Sequence, residues 1–462
     1  MSAVPSRKSW ERRRLRDAVT KLVDGSHNPP PKQDVGRPML SARNVEQGRI
    51  VFGEYRFISD ESFAAEDART RVAPGDVLLT IVGTIGRSAV VPDGIGPLAL
   101  QRSVAVLTPK PELLPRFLSY QLQSPRIQRH FEDHARGTAQ KGVYLKTLGE
   151  TPLLLPQLDE QREIVAEIEK QFSRLDEAVA NLLRVKANLK RYKAAVLTAA
   201  VSGDLVEIEA KRSMTTVEPP VSGVRIGQGR KPSSRRGREA GSLDPLPEGW
   251  IWAEAADLAS PEPNSICAGP FGTIFKAKDF RPAGVPIIFL RHVAPLRYLD
   301  RKPGFMDPGK WEELFKPYSA YGGELLITKL GEPPGVCTMY PRGIGPAMVT
   351  PDVIKMNVDP NVASSTYVMY YFNSETAKRF ATGAAFGTTR TRLTLPLFRE
   401  MPVALPPLAE QHRIVAEVDR RLSIAREVET EVDANLKRAA ALRAAVLDRA
   451  FAPGCPDSYS KD

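Results

Sequence analysis

The strongest constraint on this 462-residue chain is that it repeats itself at a nearly constant offset. Residues 155–167 read LPQLDEQREIVAE and residues 405–417 read LPPLAEQHRIVAE, with nine of thirteen positions identical at an offset of 250. The same offset carries Gly137-Thr138 onto Gly387-Thr388, Pro152 onto Pro402, and the AAVL at 194–197 onto that at 444–447. Upstream the offset drifts by only two residues. Gly94–Pro97 falls on Gly343–Pro346, Gly75–Thr80 on Gly323–Thr328, Gly36 and Pro38 on Gly284 and Pro286, and Arg43 on Arg291. Ordered matches along nearly the whole chain mean duplication of one building block.

Each copy has two parts. The first mixes strands and helices. Val77 to Val82 and Leu325 to Leu330 are short apolar runs beside Gly, as buried strands are. Pro115 to His130 and Tyr367 to Phe380 read as helices. The second part is a long helix opened by Pro156 or by Pro406-Pro407, where proline is tolerated. Heptads run along both helices. In the first copy, Val165, Phe172, Val179, Lys186 and Lys193 hold one seam position, and Ile168, Leu175, Leu182, Leu189 and Val196 the other. In the second, the two series are Val415, Leu422, Glu429, Leu436, Arg443 and Val418, Ala425, Val432, Ala439, Val446. A heptad fits any long helix pair. Two equal helices in duplicated units predict something narrower: an antiparallel coiled coil about 60 Å long, with a pseudo-two-fold axis, holding two globular domains apart.

The expected fold is therefore α+β, with two globular α/β domains separated by two long antiparallel helices. The expected parts are a first domain at 1–155, a helix at 156–205, a flexible basic linker at 206–245, a second domain at 246–405, a helix at 406–451 and a tail at 452–462.

Composition narrows the function. A net charge of +11 favours a polyanionic partner. No apolar run approaches a membrane span, the first sixteen residues are polar and basic, and the three cysteines lie far apart. A cytoplasmic protein without a disulfide framework is expected. No phosphate-binding G-x-x-x-x-G-K-[ST] loop occurs. Asn28-Pro-Pro-Pro31 lacks the aromatic that an amino-methyltransferase motif needs and reads as a turn. Pro351-Asp352 and Lys355 lack the acidic partner of a nuclease site. His130 and His134 share a helix face without a third metal ligand, and His412 stands where the first copy has Arg162. Neither a catalytic set nor a metal site emerges.

The doubled Leu-Pro-x-Leu-x-Glu-Gln-x-x-Ile-Val-Ala-Glu run resembles the conserved regions of type I restriction-modification specificity subunits. So do Leu246-Pro-Glu-Gly-Trp250, Gly269–Gly272, Asp24–His27, Gly75–Leu79 and Gly137–Lys141. The resemblance covers about residues 5–205 and 244–451. It implies two target-recognition domains, each reading one half of a bipartite sequence in double-stranded DNA. It also implies helices that set the spacer and dock two methyltransferase subunits, with motor-nuclease restriction subunits joining them. S-adenosylmethionine, ATP and Mg²⁺ would then serve those partners, and this chain would be non-catalytic. A coiled-coil adaptor and a single-chain DNA methyltransferase remain the alternatives.

Duplication also supplies a filter for DNA readers. If the halves read different bases, matched positions are scaffold and mismatched polar positions are reader candidates. Base edges are contacted by Arg, Lys, Asn, Gln, Ser and Thr. The mismatched candidates are Gln101, Arg102, Gln140 and Lys141 in the first domain, and Lys276, Lys329, Arg390 and Arg392 in the second. The matched Arg43 and Arg291 suit phosphate contacts or structural ion pairs equally.

Overall fold

The computed structural model describes residues 10–137, 140–205, 243–270, 275–384 and 392–452. They divide into two compact units, 1–184 with 432–462, and 185–431.

In the first unit a four-stranded antiparallel sheet runs Val19–Asp24, Val104–Pro109, Val77–Thr80, Ser88–Val90. Its strands alternate faces, as the pleat requires. Val77 and Leu79 join Ala105 and Leu107 against Phe117, Leu118, Ile127 and Phe131 of two helices, Pro115–Gln123 and Pro125–His134. Leu78, Val104 and Val106 face the other way, onto Leu40 and Leu100 of a three-stranded sheet formed by Arg56–Ile58, Arg37–Leu40 and Ala99–Leu100. The result is three layers, helices on a central sheet on a smaller sheet.

The second unit rebuilds this frame. Its four-stranded sheet runs Ile266–Ala268, Val353–Met356, Leu325–Thr328, Cys337–Met339. Leu325 and Ile327 face the helical core, while Leu326 faces Ile288, Ala347 and Val349 of the second sheet. Even the parallel pair inside the second sheet recurs, Met39↔Ala99 in one unit and Ile287↔Met348 in the other. Here that sheet has five strands instead of three.

The predicted helix at 115–130 is two helices, parted at Ser124, and the one at 367–380 is likewise parted at Ser374. Ser124 precedes a proline, which disfavours helical backbone. Ser374 Oγ accepts from the Ala377 backbone N–H at 3.2 Å and donates to Tyr371 O at 2.7 Å, capping one helix while closing the other.

The long helices are Leu158–Ser202 and Leu408–Phe451. The repeated motif fixes how each leaves its domain. Gln161 is 0 % exposed; its Oε1 accepts from Leu114 N at 2.8 Å, and its Nε2 donates to Glu112 O at 2.8 Å and Pro156 O at 2.9 Å. Gln411, also 0 % exposed, repeats the arrangement with Ser364 N, Val362 O and Pro406 O at 2.8, 3.3 and 2.9 Å. A short strand pair closes each domain at the same place, Glu11–Arg14 with Pro152–Leu155 and Ile251–Glu254 with Pro402–Leu405.

The heptad positions are the buried or half-buried ones along both helices. Within the first unit Asp176 pairs with Arg443 at 2.5 Å, while Val165 and Ile168 share a core with Leu447 and Phe451. Within the second, Lys193 pairs with Glu429 at 2.5 Å, while Val196 and Leu197 share a core with Ile414, Val418 and Leu422. In both, rising numbers on one helix meet falling numbers on the other, so the segments run antiparallel. Of the polar seam residues, Lys193 and Glu429 thus pair with each other, and Arg443 pairs with Asp176 beside the seam.

Candidate nucleic-acid interface

One end of each domain's sheets carries the loops that hold most of the reader candidates, and one hydrogen-bond frame holds those loops in both domains. In the first, Gln101 N donates to Leu40 O (2.8 Å), Ile81 N to Ser103 O (2.9 Å) and Val143 N to Ile81 O (2.8 Å). In the second, Thr350 N donates to Ile288 O (3.0 Å), Lys329 N to Asp352 O (2.8 Å) and Leu393 N to Lys329 O (2.8 Å). The backbone is shared; the side chains it presents are not.

Arg43 and Arg291 occupy equivalent turns directly after a strand, Ala42–Asn44 and Leu290–His292. Each turn is closed by the side chain after the arginine. Asn44 Oδ1 accepts from Ser41 N at 3.0 Å, and His292 Nδ1 accepts from Phe289 N at 3.1 Å. Both guanidinium groups therefore project outward. Arg43 sits loosely beside Glu54 at 3.8 Å. Arg291 stacks on the Phe289 ring at 4.1 Å and donates to Lys302 O at 3.0 Å. Burial, with the Arg291 charge second, holds the His292 imidazole below its ordinary value of 6.5, which suits an acceptor that must stay neutral.

In the first domain Gln101 is half-buried and Arg102 exposed on the turn before Val104–Pro109. Ala42 N donates to Ser103 Oγ at 3.0 Å, which ties this turn to that of Arg43. Gln140 and Lys141 are exposed on a loop pinned by the Arg136–Gly142 backbone pair and by Gly83 N donating to Lys141 O at 3.1 Å. All five first-domain candidates are thus brought onto adjoining loops.

In the second domain Lys276 is exposed on a separate loop, closed by Asp279 Oδ2 accepting from its backbone N–H at 2.7 Å. Arg392 is exposed and faces Asp352 across 3.6 Å. Lys329 differs from the other candidates. It is 6 % exposed and fills the place held in the first domain by the core residue Ile81. Burial, and then the Arg392 charge, push its ammonium below the usual lysine range, against the pull of Asp352. Arg390 lies outside the described residues.

An open groove of about 830 Å³ runs along this end of the second domain, lined among others by Phe289, Arg291, Leu330, Pro333, Thr350 and Asp352. It joins an apolar floor to one cation, Arg291, and two carboxylates, Glu332 and Asp352.

Sequence comparison of the copies passed over some residues at this end of the first domain. Arg136 is exposed on the loop of Gln140, opposite Phe386 in the repeat, so the mismatch filter applied to it as well. His27 and Arg69 both bind Asp24, the histidine at 2.8 Å. Asp24 and His27 lie in one of the family-like stretches, whereas Arg69, 45 residues from Asp24 in sequence, had no local signal.

Cys267 and Cys337 are buried, and burial pushes both thiols up, Cys267 to about 11, so neither is an activated nucleophile. The His130 and His134 rings lie 4.3 Å apart, as their spacing suggests. Among the described residues no group of three or more His, Cys, Asp or Glu could hold a metal ion, and no helix is long and apolar enough to cross a membrane.

Comparison with known proteins agrees with this frame. A family described as the type I restriction modification DNA specificity domain matches residues 8–184. The type I restriction enzyme EcoBI specificity subunit of Escherichia coli is 27% identical over 44% of this chain and 44% of its own length. The chain therefore spans less than half of that relative. It spans 82% of the StySPI specificity subunit of Salmonella potsdam, at 23% identity over 91% of this chain. A solved structure described as the basis of complex assembly and conformational transition of the type I R-M system covers 98% of this chain and 99% of its own, at 18% identity and a TM-score of 0.61. That likeness bears on the fold.

Proposed function

We propose that the chain is a type I restriction-modification specificity subunit, the DNA-reading part of such a complex, a reading supported by the family match over residues 8–184 and by the specificity subunits it resembles. Each globular domain reads one half of a bipartite target. The paired helices set the unread spacer and dock two methyltransferase subunits, with motor-nuclease subunits completing the assembly. Methyl transfer from S-adenosylmethionine and Mg²⁺- and ATP-dependent cleavage belong to those partners, and this chain is non-catalytic.

The observation that carries the proposal is the doubled loop frame. Two domains share backbone hydrogen bonds at equivalent positions yet present different side chains there: Ser103 against Asp352, Ile81 against Lys329, Gly142 against Arg392. A surface that only had to assemble partners symmetrically would have no reason to diverge there. A reader of two unlike half-sites would. The chain's excess of 65 Lys and Arg over 54 Asp and Glu supports a polyanionic partner.

The test is a domain exchange. The chain is assembled with its methyltransferase subunits and S-adenosylmethionine and challenged with DNA randomised over a long window. Residues 246–405 are then replaced by the matching segment of another family member. The expected result is a methylated sequence altered in one half only. An unchanged sequence, as from an adaptor, or methyl transfer by this chain without partners, overturns the proposal.

A further inference from the structure

Asp352 is out of place in a surface meant for DNA. It stands among reader candidates, on the turn that carries Gln101, Arg102 and Ser103 in the first domain, and it lines the second domain's groove. Its side chain is 44 % exposed and that of Arg392 45 %, so both remain available to a ligand while facing each other across 3.6 Å. The frame fixes both residues. Asp352 O accepts from Lys329 N, and Leu393, next to Arg392, donates to Lys329 O, both at 2.8 Å.

A carboxylate near a phosphate backbone is repelled by it, so its place in an interface is at a base edge. There a carboxylate has one good use, accepting from an exocyclic amino group, and cytosine N4 is its usual donor. The partner base then shows O6 and N7, two acceptors that suit a guanidinium fork. A carboxylate and a guanidinium side by side match a cytosine–guanine pair, whose amino donor and acceptors lie side by side in the major groove. The duplication sharpens the point, because the first domain has Ser103 and Gly142 at these places and lacks both charges.

Resting on the proposed function, we propose that Asp352 and Arg392 together read one cytosine–guanine pair of the second half-site, Asp352 at cytosine N4 and Arg392 at guanine O6 and N7. Arg291, on the same groove, supplies a neighbouring cation.

The experiment uses the full chain assembled with its methyltransferase subunits, S-adenosylmethionine and a DNA library randomised at both half-sites. The substitutions are Asp352→Ser, which borrows the first domain's own residue, and Arg392→Ala. Both are expected to lower discrimination by about tenfold, at one and the same cytosine–guanine position, with the first half-site unchanged. Asp352→Asn and thermal unfolding of each variant separate reading from folding. The inference is overturned if either variant keeps full discrimination, if the two lose it at different positions, or if the position lost is an adenine–thymine pair. An unmodified complex without any half-site preference would instead defeat the proposed function itself.

Discussion

Removing the Gln411 side chain leaves three buried backbone groups, Ser364 N–H, Val362 C=O and Pro406 C=O, without their partners. Each unsatisfied group costs about 1–3 kcal/mol, relieved in part where water enters. Gln411→Ala should therefore destabilise the second domain by at least about 2 kcal/mol in denaturant unfolding, and Gln161→Ala the first domain similarly. The motif was legible as a helix opening, but its glutamine's role was not, because the partner carbonyl at Glu112 lies 49 residues away. His292 makes a second residue-scale prediction. Its folded-state pKa is depressed, so the unfolded chain binds the proton more readily. The stability this gives is present above about pH 6.5 and is lost as pH falls through the folded value. The second domain's unfolding midpoint should drop on acidification from pH 7 to 5. Asn does the same capping at position 44, so His292→Asn should flatten that dependence while preserving the fold. Lys329 teaches the limit of reading mismatches as surface. A basic residue opposite an apolar one looked like a reader, and the frame put it in the core position of Ile81.

At the scale of elements, the two periodicities decided what could be read in advance. The 3.5-residue repeat gave both long helices and the phase of their seam, and the apolar runs gave the central strands. Both runs end as strands two residues early, at Thr80 and Thr328, where the chain turns into the loops that hold the reader candidates. The helix breaks at Ser124 and Ser374 escaped because a single residue makes each, and the apolar pattern continues across it. Three of the polar residues on the seam, Lys193, Glu429 and Arg443, are ion-paired. Arg443 meets Asp176 and covers the Phe172 ring at 3.9 Å, and Lys193 meets Glu429. Such partly exposed pairs are worth up to about 1 kcal/mol, yet reversing one charge also sets like charges together. Lys193→Glu should lower the unfolding midpoint, and adding Glu429→Lys should restore it. A double variant no more stable than the single one would show that the pair does not help set the register.

At the scale of the whole molecule, the duplicated chain divides into loop ends that differ between the copies and long helices that share one heptad phase. Matched residues open both long helices, whereas the side chains of the loop frame and most of the seam differ between the copies while keeping the same backbone bonds and heptad phase. Under the proposed function, what is read and how far apart it is read should then vary independently. One heptad inserted midway in each long helix adds about 10 Å of helix, which corresponds to about three base pairs at 3.4 Å per pair. The most direct measurement is the genome-wide map of methylated bases in cells carrying the complex, with the unmodified chain and with that insertion. The account predicts two unlike half-sites around an unread gap for the unmodified chain, and the same half-sites around a longer gap after insertion. A single continuous motif, or an unchanged gap in an active insertion variant, would contradict it.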